Sequence, residues 1–183
     1  MCNGRHFCTA VYVQVFFTLH ADVLNSPRSF RKEKRSRPME FLTLNTGAQL
    51  PMIGFGTWDV RGEEGKRSIL DALELGYRLV DTALMYKNHA IVGAALRESG
   101  LPRSELFLTT KLNRPCSSYP AAKAGIEQCL NELQTDYLDL LLIHEPYENA
   151  LAMYQAMTEA VRSGKVRAIG ISNFSPTEYE EFL

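Results

Sequence analysis

The sequence predicts an α/β fold on a parallel sheet, of (β/α)8-barrel type, carried through about five β/α units and preceded by a β-hairpin. Five short apolar runs, at 52–56, 77–82, 106–110, 138–143 and 166–171, begin 25 to 32 residues apart. Segments of helical period separate them, and a strand–helix alternation at that repeat makes a parallel sheet with crossover helices. The turn after the first run, Gly54-Phe55-Gly56-Thr57-Trp58, lacks the third glycine of the GxGxxG turn that opens an open dinucleotide-binding sheet. Pattern alone admits an open doubly wound sheet or a barrel; the missing glycine tilts the choice to the barrel.

Taken in order, 41–44 and 49–52 are short β-type stretches around Asn45-Thr46-Gly47, a turn signal for the hairpin. Helical period follows at 62–75. Val92, Ala95, Leu96 and Ser99 give the next helix one face, and Gly100-Leu101-Pro102 stops it. The clearest helix spans 118–134, with Ala122, Ile126, Cys129, Leu130 and Leu133 on one side and Ser117 or Ser118 as its cap. A fourth covers 149–162 and ends at Ser163-Gly164. The runs 138–143 and 166–171 are nearly continuous in apolar residues, as strands covered on both faces should be.

The 183 residues are 45% hydrophobic and 22% charged, an ordinary globular balance. Four cysteines, at 2, 8, 116 and 129, show neither CxxC spacing nor a neighbouring histidine cluster. No disulfide framework or structural metal site is expected, and a reducing, cytoplasmic setting is the default. The net charge of −1 hides an asymmetry, since residues 1–38 hold seven Lys/Arg against two Asp/Glu. The acidic remainder offers a nucleic-acid partner no electrostatic support. Residues 1–38 are read as a separate leader ahead of a body at 39–183, with Met39 as the expected start of translation. Residues 7–19 are largely apolar, too short to span a bilayer but of signal-peptide length, and Leu19 stands where a small residue is wanted. The run Arg28, Arg31, Lys32, Lys34, Arg35 and Arg37 suits a solvated tail or a targeting segment.

In a barrel, polar residues at the C-terminal ends of strands mark the reactive face. The second strand run ends at Asp81, the third at Lys111 and the fourth at His144, and Tyr86 follows Asp81 by five residues. One carboxylate, one ammonium, one imidazole and one phenol thus meet on a single rim. The set suits carbonyl reduction: a phenol whose pKa is lowered by an ammonium delivers the proton to the developing alkoxide. The carboxylate holds the ammonium, and the imidazole orients the carbonyl oxygen.

Four motifs carry a family resemblance. Gly76-Tyr77-Arg78-Leu79-Val80-Asp81-Thr82-Ala83-Leu84-Met85-Tyr86 resembles the first aldo-keto reductase signature. Residues 133–146, with Asp136-Tyr137-Leu138-Asp139 and Leu142-Ile143-His144-Glu145-Pro146, resemble the second. Thr109-Thr110-Lys111-Leu112 and Gly170-Ile171-Ser172-Asn173-Phe174 match the lysine strand and the loop after the fifth strand. The resemblance implies an NADPH-dependent reductase of aldehydes or ketones, with NADH as the other cofactor. Tyr86 is then the general acid, Lys111 its pKa modulator, Asp81 the partner of Lys111, and His144 the carbonyl orienter. Ser172 and Asn173 bind the nicotinamide carboxamide, and Gly56, Thr57 and Asp81 lie close to the cofactor. Trp58, Met85, Tyr86, His144 and Glu145 face a small carbonyl substrate.

His89 stands where the signature usually has Glu or Gln, although Val92-Gly93 is intact. Glu145 replaces a frequent aromatic and makes that wall of the pocket polar. Against the eight units of the family the chain stops in the fifth helix, so the remaining cofactor residues are absent from it. The alternative reading is therefore an inactive barrel portion acting, if at all, as a binding module. The resemblance implies a monomeric parent. The 183 residues alone are expected to self-associate, with inner strand faces lacking partners across the barrel and both sheet edges unpaired.

Overall fold

The computed structural model describes Val11–Tyr12 and residues 39–182. In chain order its elements are β1 (Val11–Tyr12), β2 (Phe41–Thr43), β3 (Gln49–Pro51), β4 (Gly54–Gly56), α1 (Gly62–Glu74), β5 (Leu79–Asp81), α2 (His89–Glu98), β6 (Phe107–Leu112), α3 (Tyr119–Leu133), β7 (Leu138–Ile143), α4 (Ala150–Arg162), β8 (Val166–Ile171) and α5 (Pro176–Phe182). A single 3₁₀ turn, Leu84–Tyr86, lies between β5 and α2.

Strands β4 to β8 pair in parallel and in sequential order, each joined to the next by a helix. This is the sheet of a (β/α)8 barrel over five of its units. The sequence places every one of these strands, with shifts at the ends: β4 begins at Gly54 rather than 52, and β6 runs on to Leu112. β2 and β3 form the expected antiparallel hairpin, closed by the Leu44 N–H donated to the Ala48 carbonyl (2.8 Å). Ser118 is the residue that caps α3, its hydroxyl accepting the Ala121 N–H.

Of the leader, only Val11–Tyr12 lies within the described residues. It pairs in parallel with the outer edge of β8, Val11 opposite Gly170 and Tyr12 opposite Ile171. That edge is therefore not bare over these two positions. The rest of the leader, including its apolar and basic runs, lies outside the described residues.

Period-two alternation divides the sheet into two faces. Leu108 and Leu112 of β6, with Leu141 and Ile143 of β7, meet Ile69, Val92, Ile126, Met153 and Met157 of the helices in one core. On the opposite face Leu79, Phe107, Leu140, Leu142 and Ala168 form a second core with Leu44 and Leu50 of the hairpin. The inner face is thus not left without partners. The hairpin leucines cover its lower layer, and each of these side chains is no more than 7% exposed. Burying a leucine or phenylalanine to this extent contributes roughly 1.5–3 kcal/mol.

β8 departs from the expectation of full burial, because Arg167 is exposed. Arg167 serves a buried carboxylate at the opposite end of the sheet from the reactive rim. Asp139 of β7 accepts the Leu108 N–H (3.0 Å) and bonds to Arg103 (2.8 Å) and Arg167 (3.1 Å). Both guanidinium groups also stack on Tyr137, at 4.0 and 3.9 Å from its ring centre. Among the described residues no helix is long and apolar enough to cross a membrane.

Helices α2 and α3 pack backbone to backbone at Gly93, where a Cβ would sit 2.4 Å from the Leu133 carbonyl oxygen. Backbone cannot yield as a flexible side chain can. Gly93→Ala is expected to destabilise the fold by about 1–3 kcal/mol, read as a lowered urea midpoint. An unchanged midpoint would show that the two helices are not held this close.

Candidate active site

The residues that follow strands β4, β5, β7 and β8 are each pinned by a backbone N–H to the neighbouring strand. Thr57 donates to the Asp81 carbonyl (2.9 Å), Thr82 to Thr109 (2.9 Å), His144 to Leu112 (3.0 Å) and Ser172 to Ile143 (2.9 Å). The sheet ladder therefore continues one step past each strand and fixes the rim from which the polar side chains rise.

Asp81 and Lys111 follow from the same alternation that builds the inner core. They are two and four residues beyond Leu79 and Phe107, so both side chains enter the barrel side, above the apolar layer. Lys111 Nζ donates to Asp81 Oδ1 at 2.5 Å and to the Thr82 carbonyl at 3.0 Å. The two side chains are 9% and 11% exposed. Burial pushes the Asp81 carboxyl up, and the adjacent ammonium opposes that shift.

Tyr86 ends the 3₁₀ turn after β5 and is half-buried over this pair. Its ring centre lies 5.4 Å from Lys111 Nζ and 5.7 Å from the His144 ring, which meets it edge-on at 76°. Burial, followed by the Asp81 charge, pushes the phenol up to about 12. The lowering expected from Lys111 does not show in this shift, which is set by burial and then by the Asp81 charge. His144 is pulled down to about 4, first by burial and then by Lys111, with Glu145 acting in the other direction. Across neutral pH the phenol therefore keeps its proton and the imidazole is uncharged. His144 Nδ1 and Thr57 Oγ1 are buried without a hydrogen-bond partner among the described residues.

The other predicted positions share this rim. Gly56 of β4 lies in register with Asp81. Asn173 adopts a left-handed conformation (φ 61°) and donates its amide to the His144 carbonyl (2.9 Å) and to Ser172 Oγ (3.2 Å), neither of which uses its own Oδ1 as acceptor. Trp58 is 75% exposed and Met85 45% exposed, so neither is a core side chain. Glu145 is exposed beside His144. Sequence reasoning does not single out Thr82 and Asn88, both buried, whose side chains bond to each other below Tyr86 at 2.9 Å. The signal available was a small polar pair bracketing the tyrosine loop. Among the described residues no group of three or more His, Cys, Asp or Glu could hold a metal ion.

Residues 52–182 match the Aldo/keto reductase family, so both motif sequence and rim geometry point the same way. The chain belongs to this family. Among curated aldo-keto reductase relatives, it is 35% identical over 173 residues to a glycerol 2-dehydrogenase (NADP(+)) of Saccharomyces cerevisiae, covering 79% of the chain and 55% of that protein. A glyoxal reductase of Bacillus subtilis is 41% identical over 142 residues, covering 76% and 51%. Among solved structures, an aldo/keto reductase from Brucella melitensis superposes with a TM-score of 0.76 at 35% identity, covering 79% and 57%. One from Bombyx mori in complex with NADP superposes with a TM-score of 0.73 at 30% identity, covering 78% and 53%. The chain spans about half the length of the curated relatives it matches.

Breaking the Lys111–Asp81 pair from one side strands a buried charge. Asp81→Asn is expected to cost about 3–5 kcal/mol in urea unfolding, the scale for an orphaned buried partner. A loss below about 1 kcal/mol, the scale of surface pairs, would show that Lys111 reaches water.

Proposed function

We propose that the protein containing this chain reduces a small aldehyde or ketone to the alcohol with NADPH as hydride source, Tyr86 being the proton donor. The observation that carries this reading is the convergence of Asp81, Lys111, Tyr86 and His144 on one rim, with the phenol protonated and the imidazole neutral. The names of two relatives, a glyoxal reductase and an NADP(+)-dependent glycerol dehydrogenase, agree with this substrate class and cofactor.

The residues present fit a nicotinamide. Asn173 keeps its Oδ1 acceptor outside its two amide bonds and Ser172 offers a hydroxyl, which together suit the carboxamide, while Gly56 and Thr57 present backbone at the adjoining strand end. The bound cofactor supplies the hydride. On the protein side, His144 hydrogen-bonds the carbonyl oxygen and aims it at the phenol. Tyr86 then gives its proton to that oxygen as negative charge develops there. In the resting state burial and then the Asp81 charge keep the phenol protonated; once the proton has left, the Lys111 ammonium near the Tyr86 ring offsets part of the phenolate's charge. Trp58, Met85 and Glu145 line the approach, and the carboxylate of Glu145 favours substrates with polar groups. NADH in place of NADPH is the open point on the cofactor.

Two outcomes are expected. Tyr86→Phe removes the donor and should lower kcat by roughly 100-fold or more with little change in cofactor affinity; near-normal turnover would remove Tyr86 from the mechanism. The pH dependence follows from the two shifted groups. His144, lowered to about 4, gains a proton only in acid, and Tyr86, raised to about 12, loses its proton only in strong alkali. Carbonyl reduction at saturating substrate should therefore be level from about pH 5.5 to 9. A titration limb centred within that range would show that one of the two is not in the state described.

A further inference from the structure

Tyr86 stands on a loop, not on a strand, so its place over Lys111 has to be set by whatever holds that loop. Both ends of the loop are stapled together. Thr82, at the end of β5, donates its hydroxyl to Asn88 Oδ1 (2.9 Å), closing residues 83–87 between them. The Asn88 amide in turn donates to the carbonyls of Thr57 (2.7 Å) and Val60 (3.3 Å), tying the loop to the segment after β4.

The next residue extends the tie outward. His89, 1% exposed at the first position of α2, bonds through Nε2 to Thr110 Oγ1 (2.9 Å), and its Nδ1 stands 3.2 Å from a Glu132 carboxylate oxygen of α3 without hydrogen-bond alignment. Thr110 is the residue before Lys111. Close packing of α2 on α3 at Gly93 brings Glu132 within reach. Three side chains in and beside the Tyr86 loop thus bind it to the strands on both sides and bring it against the helix behind, through bonds to one another and to Thr57, Val60 and Thr110 rather than to the side chains of Asp81, Lys111, Tyr86 or His144.

The geometry points to Thr82, Asn88 and His89 as positioning residues that set the Tyr86 phenol against Lys111 and His144. This rests on Tyr86 being the proton donor. The clasp places one end of the phenol's loop on β5 and the other on β6, the two strands that supply Asp81 and Lys111. Proton donor and ammonium are therefore located by the same two strands.

The test is a double-mutant cycle with NADPH and glyoxal on the full-length enzyme. Thr82→Val keeps the side-chain shape and removes one bond of the clasp; Asn88→Ala removes three. Each is expected to lower kcat by roughly 10- to 100-fold with KM for NADPH nearly unchanged, and to have about a twofold effect or less in a Tyr86→Phe background. His89→Gln, whose amide can still hydrogen-bond the Thr110 hydroxyl, should retain most of the turnover that His89→Leu loses. If Asn88→Ala does not fold, Thr82→Val decides. Unchanged kcat in Thr82→Val, or an equal loss with and without Tyr86, would overturn the assignment. Should Tyr86→Phe itself keep its turnover, the proton-donor reading falls first and leaves the clasp nothing to position.

Discussion

Everything on the rim is arranged around one buried ion pair. Lys111 and Asp81 sit on adjacent strands, on the face where alternation otherwise places leucine and phenylalanine, and neither charge could remain there without the other. Because the ammonium also donates to the Thr82 carbonyl, it joins β5 and β6 at the point where the Tyr86 loop departs. The pair is thus both an electrostatic centre and a joint between two strands. The apolar layer below, completed by Leu44 and Leu50 of the hairpin, excludes water from one side of it.

Burial first, and then the charges of the pair, set the protonation of its neighbours. A lone ammonium under a phenol would favour the phenolate. With Asp81 at 2.5 Å that influence is offset, and burial leaves Tyr86 holding its proton. The same ammonium, together with burial, keeps His144 neutral.

Much of this was legible in the sequence because regular periodicity records which face of a strand or helix is buried. β7 and β8 were readable to the residue, and the α3 face of Ala122, Ile126, Cys129, Leu130 and Leu133 is buried throughout. Short strands with mixed flanks were less so. β4 keeps three residues of an apolar run of five, since Met52 and Ile53 are exposed. Three of the four rim residues were legible as strand-end polar groups, and Tyr86 as the phenol in the loop after one of them. What periodicity does not record is which polar side chains bond across elements: the Thr82–Asn88 staple, the His89 bond to Thr110, and the Asp139 stitch. His89 was visible as a departure from the family motif, while its neighbours Thr110 and Glu132, 21 and 43 residues away, appear only in three dimensions. The raised pKa of the Tyr86 phenol was not legible for a similar reason, because the burial of its ring, the first cause of that shift, appears only in three dimensions.

The central claim is that the Lys111–Asp81 pair leaves the Tyr86 phenol neutral and ready to donate. Its most direct measurement is a carbon NMR titration of ring-labelled tyrosine in the cofactor-free protein, with the Tyr86 resonance assigned by its loss in Tyr86→Phe. The account predicts that this resonance keeps its protonated chemical shift to pH 10 and beyond, where a free tyrosine side chain, with a pKa of about 10, is at least half titrated. A Tyr86 midpoint below about 9 would show that the ammonium outweighs burial and the Asp81 charge, and would contradict the account.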